Sequence, residues 1–143
     1  MASASAETGF FWPVRVYYED TDAGGVVYYA NYLKFFERAR TERLRALGFE
    51  QDAIRSEFGV LFAVRSVQVD YLKPARFNDA LKVTASLRDV KRVSVTFEQA
   101  IRRAGGDQET LCTAQVRVVC LSDRDLRPAP IPDHLLERIK HVV

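Results

Sequence analysis

VRVYYEDTDAGGVVYYANYLKFFERARTE, residues 14–42, decides how the rest of this chain is read. An apolar and aromatic run ends in two closely spaced carboxylates, Asp20 and Asp22. Gly24 and Gly25 follow, then a second aromatic run, then a pattern of helical period. The segment predicts a strand over Phe11–Tyr18, a tight glycine turn, and a helix over Asn31–Leu47. Pro13 sits near the strand start, where a missing amide is tolerated. On a wheel of 100° per residue, Tyr32, Leu33, Phe35, Phe36, Ala39, Leu44, Ala46 and Leu47 fill about half the circumference. Arg40 and Arg43 intrude on that arc and need partners or an exit to water. Gly48 is suited to cap the helix after Leu47.

Beyond the helix the pattern changes. A short helix is expected over Gln51–Glu57, closed by Gly59. Leu61–Tyr71 reads as strand and stops at Pro74. Leu81–Arg88 and Val93–Ile101 alternate apolar and polar residues with period two, as half-buried strands do. Gly105 and Gly106 mark a hairpin before a last long strand, Thr110–Leu121. Asp133 is placed to cap a closing helix over Asp133–Lys140. One principal helix for one large antiparallel sheet leaves sheet surface or edge uncovered, and a second copy of the chain is the simplest cover.

The 143 residues suffice for one domain with a real core, expected over residues 11–143 after a flexible tail at 1–10. Net charge is only +2 with both signs interspersed, which argues against a nucleic-acid binder. Cys112 and Cys120 share one apolar run without metal-type spacing and read as buried, reduced thiols. The start, MASASAETG, lacks the basic and apolar regions of a secretory signal, and no run is long enough for a membrane span. Cytoplasm is the expected location.

The candidate chemistry sits in the opening stretch. Two carboxylates two residues apart are one element of a metal site, but both histidines, His134 and His141, come late, so no metal is expected. Asp22 directly precedes the glycine turn, where it can act as a base on water or as a nucleophile on an activated carbonyl. Free amides near Tyr29 and Ala30 are suited to developing negative charge. Each assignment has a plainer rival. Asp20 and Asp22 also fit a solvated acidic loop, Asn31 a helix cap, and Tyr28, Tyr29 and Tyr32 core or interface aromatics rather than an acyl slot. Lys91 and Arg92, with Ser94 close by, fit a solvated hairpin tip or a phosphate site, and Lys73 and Arg76 share that ambiguity. No histidine partners Ser66, Ser94 or Thr96, which disfavours a serine triad.

Asp20, Asp22, Gly25, Tyr29 and Tyr32 together resemble the signature of bacterial acyl-CoA thioesterases associated with the Tol–Pal system, within the wider 4-hydroxybenzoyl-CoA thioesterase family. The resemblance is dense over Val14–Glu42, and the order of elements agrees over about Pro13–Ser122. It implies an α+β hotdog fold, an antiparallel sheet wrapped around a long helix, in a homodimer or homotetramer with sites at subunit interfaces. It implies hydrolysis of an acyl-CoA to free acid and coenzyme A without a metal or redox cofactor. On this likeness Asp22 is the catalytic carboxylate, the Tyr29 amide polarises the thioester carbonyl and Asn31 supports that turn. Gly25, Tyr28 and Tyr32 then line the substrate, and Lys91, Arg92 and Ser94 are the candidates for the coenzyme A phosphates. An acyl-carrier protein or a Tol–Pal component is an implied partner. Tol–Pal-associated members commonly carry histidine where this chain has Tyr29, and the aromatic-acid thioesterase carries tyrosine. Aliphatic and aromatic acyl groups both stay open. A thioester-dependent dehydratase would need a central histidine that is missing here. A non-catalytic acyl-CoA or acyl-carrier binding protein is the remaining alternative.

Overall fold

A computed structural model describes residues 9–143; of the tail expected over residues 1–10, residues 1–8 lie outside the described part. Phe10 already packs against the core, its ring 5.1 Å from the Arg43 guanidinium. The elements in order are β1 (Phe11–Arg15), a 3-10 turn (Tyr18–Asp20), α1 (Asn31–Ala46), α2 (Gln51–Phe58), β2 (Val60–Tyr71), β3 (Ala80–Thr84), β4 (Ser86–Arg88), β5 (Ser94–Arg103), β6 (Thr110–Ser122) and α3 (Asp133–Val142). The strands form one six-stranded antiparallel sheet in the order β1-β3-β5-β6-β2, with β4 also paired to β5. Helix α1 lies on its inner face. This is the α+β hotdog arrangement, a sheet curled around a long helix.

The core explains the curl. Phe35 and Phe36 on α1 are fully buried with Phe97 and Ile101 of β5 and Leu111 of β6. Each such side chain contributes about 2 kcal/mol by leaving water. The buried stripe of α1 is narrower than its wheel suggests. Tyr32, Phe35, Phe36, Ala39 and Leu44 are inside, whereas Leu33 and Ala46 are exposed. Arg43 is buried instead, its charge set over the face of Phe10.

Three boundaries depart from the periodicity, each for a local reason. β1 stops at Arg15 because the Tyr17 amide donates to the Asp20 carboxylate (2.8 Å), which turns the chain into the 3-10 segment. The strand expected over Leu81–Arg88 breaks at Ala85 into β3 and β4. At the break the Thr84 hydroxyl replaces a backbone partner by accepting from the Ala100 amide (2.9 Å), and Gln99 Nε2 donates to the Thr84 carbonyl (3.1 Å). Asp133 is the first residue of α3 rather than its cap, which is Pro132. Cys112 and Cys120 are buried free thiols, and burial pushes them up to about 12 and about 11. No helix among the described residues is long and apolar enough to cross a membrane.

Candidate active site

Between the 3-10 turn and α1 the chain makes a small hairpin. The Gly25 amide donates to the Asp22 carbonyl (3.0 Å), the Asp22 amide to the Val26 carbonyl (2.9 Å), and Thr21 bridges to Val27. Gly25 has φ +80°, the left-handed position at which such a three-residue loop reserves a glycine. Gly24 serves a different end. Its amide donates to Asp22 Oδ1 (2.8 Å), and a Cβ there would stand 3.3 Å from the same oxygen. The exposed Asp22 carboxylate is thus oriented by its own turn, and Oδ2 takes no protein hydrogen bond among the described residues.

The two aspartates separate by geometry. Asp20 is spent on architecture. Its carboxylate holds the Tyr17 amide, and its carbonyl accepts from the Tyr28 amide (3.0 Å) and from Asn31 Nδ2 (2.9 Å). Asn31 is therefore not the helix cap, which is Ala30, but the tie that fixes the start of α1 to the hairpin. At the start of α1, the amides of Asn31, Tyr32 and Leu33 donate three residues back, to the carbonyls of Tyr28, Tyr29 and Ala30. Among the described residues the amides of Tyr29 and Ala30 donate to no protein acceptor. Two free N–H groups at a helix N-terminus and an oriented carboxylate one turn of chain away form a pairing suited to carbonyl chemistry.

Tyr28 and Tyr29 are exposed beside these groups with ring centroids 4.9 Å apart. Tyr32 is a core residue; its hydroxyl accepts from the Ala75 amide (3.0 Å) and so pins the 72–79 loop. Sequence reading missed Tyr71. At the end of β2, its hydroxyl donates to the Tyr29 carbonyl (3.2 Å), and its ring meets those of Tyr29 and Tyr32 edge-on at 6.2 and 5.5 Å. No local signal marks it, because its partner lies 42 positions earlier. The Tyr28 hydroxyl is pushed up by the adjoining Tyr29 phenol, and the Tyr32 and Tyr71 hydroxyls by burial. These three phenols stay protonated near neutrality.

Lys91, Arg92 and Ser94 are not brought to this place within one chain. Tyr71 and Ile101 share the register of Cys112, whereas Ser94 lies seven residues back along β5, roughly 23 Å away at about 3.3 Å per residue. Ser94 is buried, and its carbonyl accepts from the Lys91 amide (2.8 Å). Lys73 pairs with Glu109, and Arg76 bridges to Val26 beside the hairpin. No cluster of metal-ligating side chains occurs among the described residues.

The hairpin-and-helix site on a hotdog sheet defines the class of protein, and comparison with known proteins gives the family. The profile of the thioesterase-like superfamily matches residues 16–139, and the chain belongs to that family. It is 42% identical over 136 residues to the acyl-CoA thioesterase YbgC of Haemophilus influenzae, covering 95% of this chain and 98% of that one. It is 44% identical over 133 residues to the acyl-CoA thioester hydrolase YbgC of Escherichia coli O6:H1, covering 93% and 97%. Among solved structures, the 1,4-dihydroxy-2-naphthoyl-CoA thioesterase Slr0204 from Synechocystis shares the fold. Its TM-score is 0.84 at 24% identity, over 92% of this chain and 95% of that one.

Proposed function

We propose that this protein hydrolyses acyl-CoA thioesters to the free carboxylic acid and coenzyme A. The observation that carries this reading is the pair of free amides at Tyr29 and Ala30 beside the oriented Asp22 carboxylate. The similarity to the two YbgC enzymes supports the same substrate class. The thioester oxygen accepts from the Tyr29 N–H, and that bond strengthens as the carbonyl becomes tetrahedral. Asp22 Oδ2 then serves in one of two ways. As a nucleophile it forms an acyl–carboxylate anhydride while the C–S bond breaks. The coenzyme A thiolate leaves and takes a proton from solvent, and water opens the anhydride. As a general base it takes a proton from water, whose oxygen adds to the carbonyl, and the C–S bond breaks in the same collapse. Neither route calls on a metal or redox cofactor.

The coenzyme A site completes this reading only with a second copy. β2 is an edge strand of 12 residues with Val64, Val67 and Tyr71 exposed. An uncovered apolar edge of that length invites pairing. Antiparallel β2–β2 pairing about the strand's middle sets Tyr71 opposite the partner's Val60. The partner's Lys91 and Arg92 lie at that end of its sheet, where they can meet the phosphates. The cytoplasm is the compartment in this reading. An acyl-carrier protein or a Tol–Pal component as partner is its outermost element, checked by co-purification.

The test is thiol release across a panel of acyl-CoA esters with the wild type and Asp22→Asn. The variant is expected to keep its fold and oligomeric state and to lose roughly 10²–10⁴-fold in kcat. Full activity in the variant removes Asp22 from the chemistry. Binding without thiol release from any ester leaves a non-catalytic acyl-CoA binder.

A further inference from the structure

On the face of the sheet opposite α1 the side chains are polar and the surface is hollowed. Ser66 of β2, Arg117 of β6 and Thr96 of β5 stand side by side in register. Gln68, Gln115 and Glu98 form the next row, two residues along. Alternation sends both rows to the outer face, because Phe97 and Val116, which lie between them, belong to the buried core. A hollow of 410 Å³ opens over these rows, lined by Ser66, Gln68, Asp89, Thr96, Gln115 and Arg117, with Val67 as an apolar member. No aromatic ring lines it among the described residues. A second hollow, of 440 Å³, shares Gln68 and Gln115 with the first and carries the carboxylates Asp70 and Glu98.

The charges here are not all matched. Glu98 is taken by Arg88 (3.1 Å). Arg117, half-buried, is in no ion pair among the described residues. Its Nη1 donates to Thr96 Oγ1 (3.1 Å), a hydroxyl that is itself buried. That bond holds one side of the guanidinium and leaves Nε and Nη2 without a protein acceptor among the described residues. A guanidinium that has lost part of its hydration and has no counter-ion gains from an anion, and its planar fork matches two oxygens of a phosphate or carboxylate. Asp89 lines the same hollow and accepts hydrogen bonds only. It repels a bare anion but suits hydroxyl groups, as do the amides of Gln68 and Gln115. At about 30 Å³ per water-sized group the hollow holds roughly fourteen of them. With no ring to stack on, a nucleobase gains little here.

We propose that this outer-face hollow is a second binding site, for a small polyhydroxylated anion, a sugar phosphate or a sugar acid, with Arg117 holding the charge. The proposal stands apart from the thioesterase reading, whose groups lie at the start of α1 on the other side of the sheet.

The experiment is titration calorimetry of the full chain with glucose 6-phosphate, gluconate, inorganic phosphate and glucose. The wild type is expected to bind glucose 6-phosphate or gluconate at least about tenfold more tightly than it binds inorganic phosphate or glucose. Whichever of the two binds more tightly tells whether the anion is phosphate or carboxylate. Arg117→Gln is expected to weaken that binding by about tenfold or more. Arg117→Lys, which keeps the charge but not the fork, is expected to fall between the two, and it carries the test if circular dichroism shows that the glutamine variant does not fold. Thiol release from acyl-CoA is expected to stay within about twofold of wild type in both variants. Three results overturn the proposal: inorganic phosphate binding as tightly as the sugar anions, wild-type affinity in the folded variants, and no binding of either sugar anion to the wild type. Displacement of the bound sugar anion by coenzyme A also overturns it, since the hollow would then belong to the thioester site.

Discussion

At the scale of single residues, the site shows how neighbouring carboxylates are given different work by their hydrogen bonds. Asp20 closes a turn and receives the side chain that anchors α1, while Asp22 is aimed by one amide and keeps an oxygen unbonded. The Asp22 turn was legible in the sequence because everything that shapes it lies within four positions. Tyr71 was illegible for the opposite reason, its contact being closed by the fold. Its hydroxyl holds the carbonyl of Tyr29, the residue whose amide donates to no protein acceptor among the described residues. Tyr71→Phe deletes that bond without changing the ring. The expected result is a loss near fivefold in kcat, the equivalent of about 1 kcal/mol, with KM held within about twofold. Steady-state kinetics on a well-behaved ester measures it. A rise in KM alone would assign Tyr71 to substrate packing instead.

At the scale of elements, the 72–79 loop is the scaffold against which the hairpin is registered. It meets the hairpin through the Val27 amide to the Ala75 carbonyl (2.8 Å) and the Phe77 amide to the Gly25 carbonyl (3.3 Å). One guanidinium holds both ends of that loop. Arg103, at the end of β5, pairs with Asp79, donates to the Pro74 carbonyl (3.0 Å), and reaches Glu109 (3.2 Å), which Lys73 also holds. Arg103→Ala is expected to cost about 2 kcal/mol in chemical denaturation. It is also expected to cost on the order of tenfold in kcat, because the hairpin and helix start lose their mutual register. Millimolar guanidinium should restore part of the kcat. The same cluster gives a sign for acid. Lys73 first, and then Arg103, holds the Glu109 carboxyl below its ordinary 4.5. Its contribution is therefore full above that value and is lost as pH falls through the folded-state value. Thermal melts between about pH 6 and pH 3 should fall less steeply for Glu109→Gln than for the wild type. Period-two alternation revealed the long strands. It missed the break at Ala85, since there side chains of Thr84 and Gln99 take over the ladder, and sequence period carries no record of such substitutions.

At the scale of the whole molecule, the expectation of a second subunit follows from counting faces, and the two edges of the sheet differ in how well they suit it. β1 and β2 are the two ends of the sheet order, but they differ in what they leave open. β1 has five residues and contains Pro13, a short edge poorly made for pairing. β2 is 12 residues long, is outlined by exposed Val64 and Val67, and carries a register shift between Val64 and Ser66. On the proposed reading, pairing there brings the hairpin of one copy toward Lys91 and Arg92 of the other, because these lie at opposite ends of the sheet. A charged residue in the centre of that seam tests the two statements at once. In the proposed pairing, Val67→Glu sets a carboxylate opposite the partner's Val64, in the apolar middle of the two strands. The expected outcome is a shift to monomer by light scattering, with far-ultraviolet circular dichroism retained and thiol release lost. Lys91→Glu and Arg92→Glu make the complementary case. They leave the dimer intact and raise KM for the full ester by about tenfold at low salt, with a smaller rise at high salt because counter-ions screen the phosphates already. Their KM for the pantetheine ester, which lacks the nucleotide, stays at the wild-type value. If Val67→Glu stays dimeric and active, the interface lies elsewhere and the phosphate assignment loses its geometric basis. If both KM values rise together, the basic pair acts on the acyl-pantetheine part rather than on phosphate.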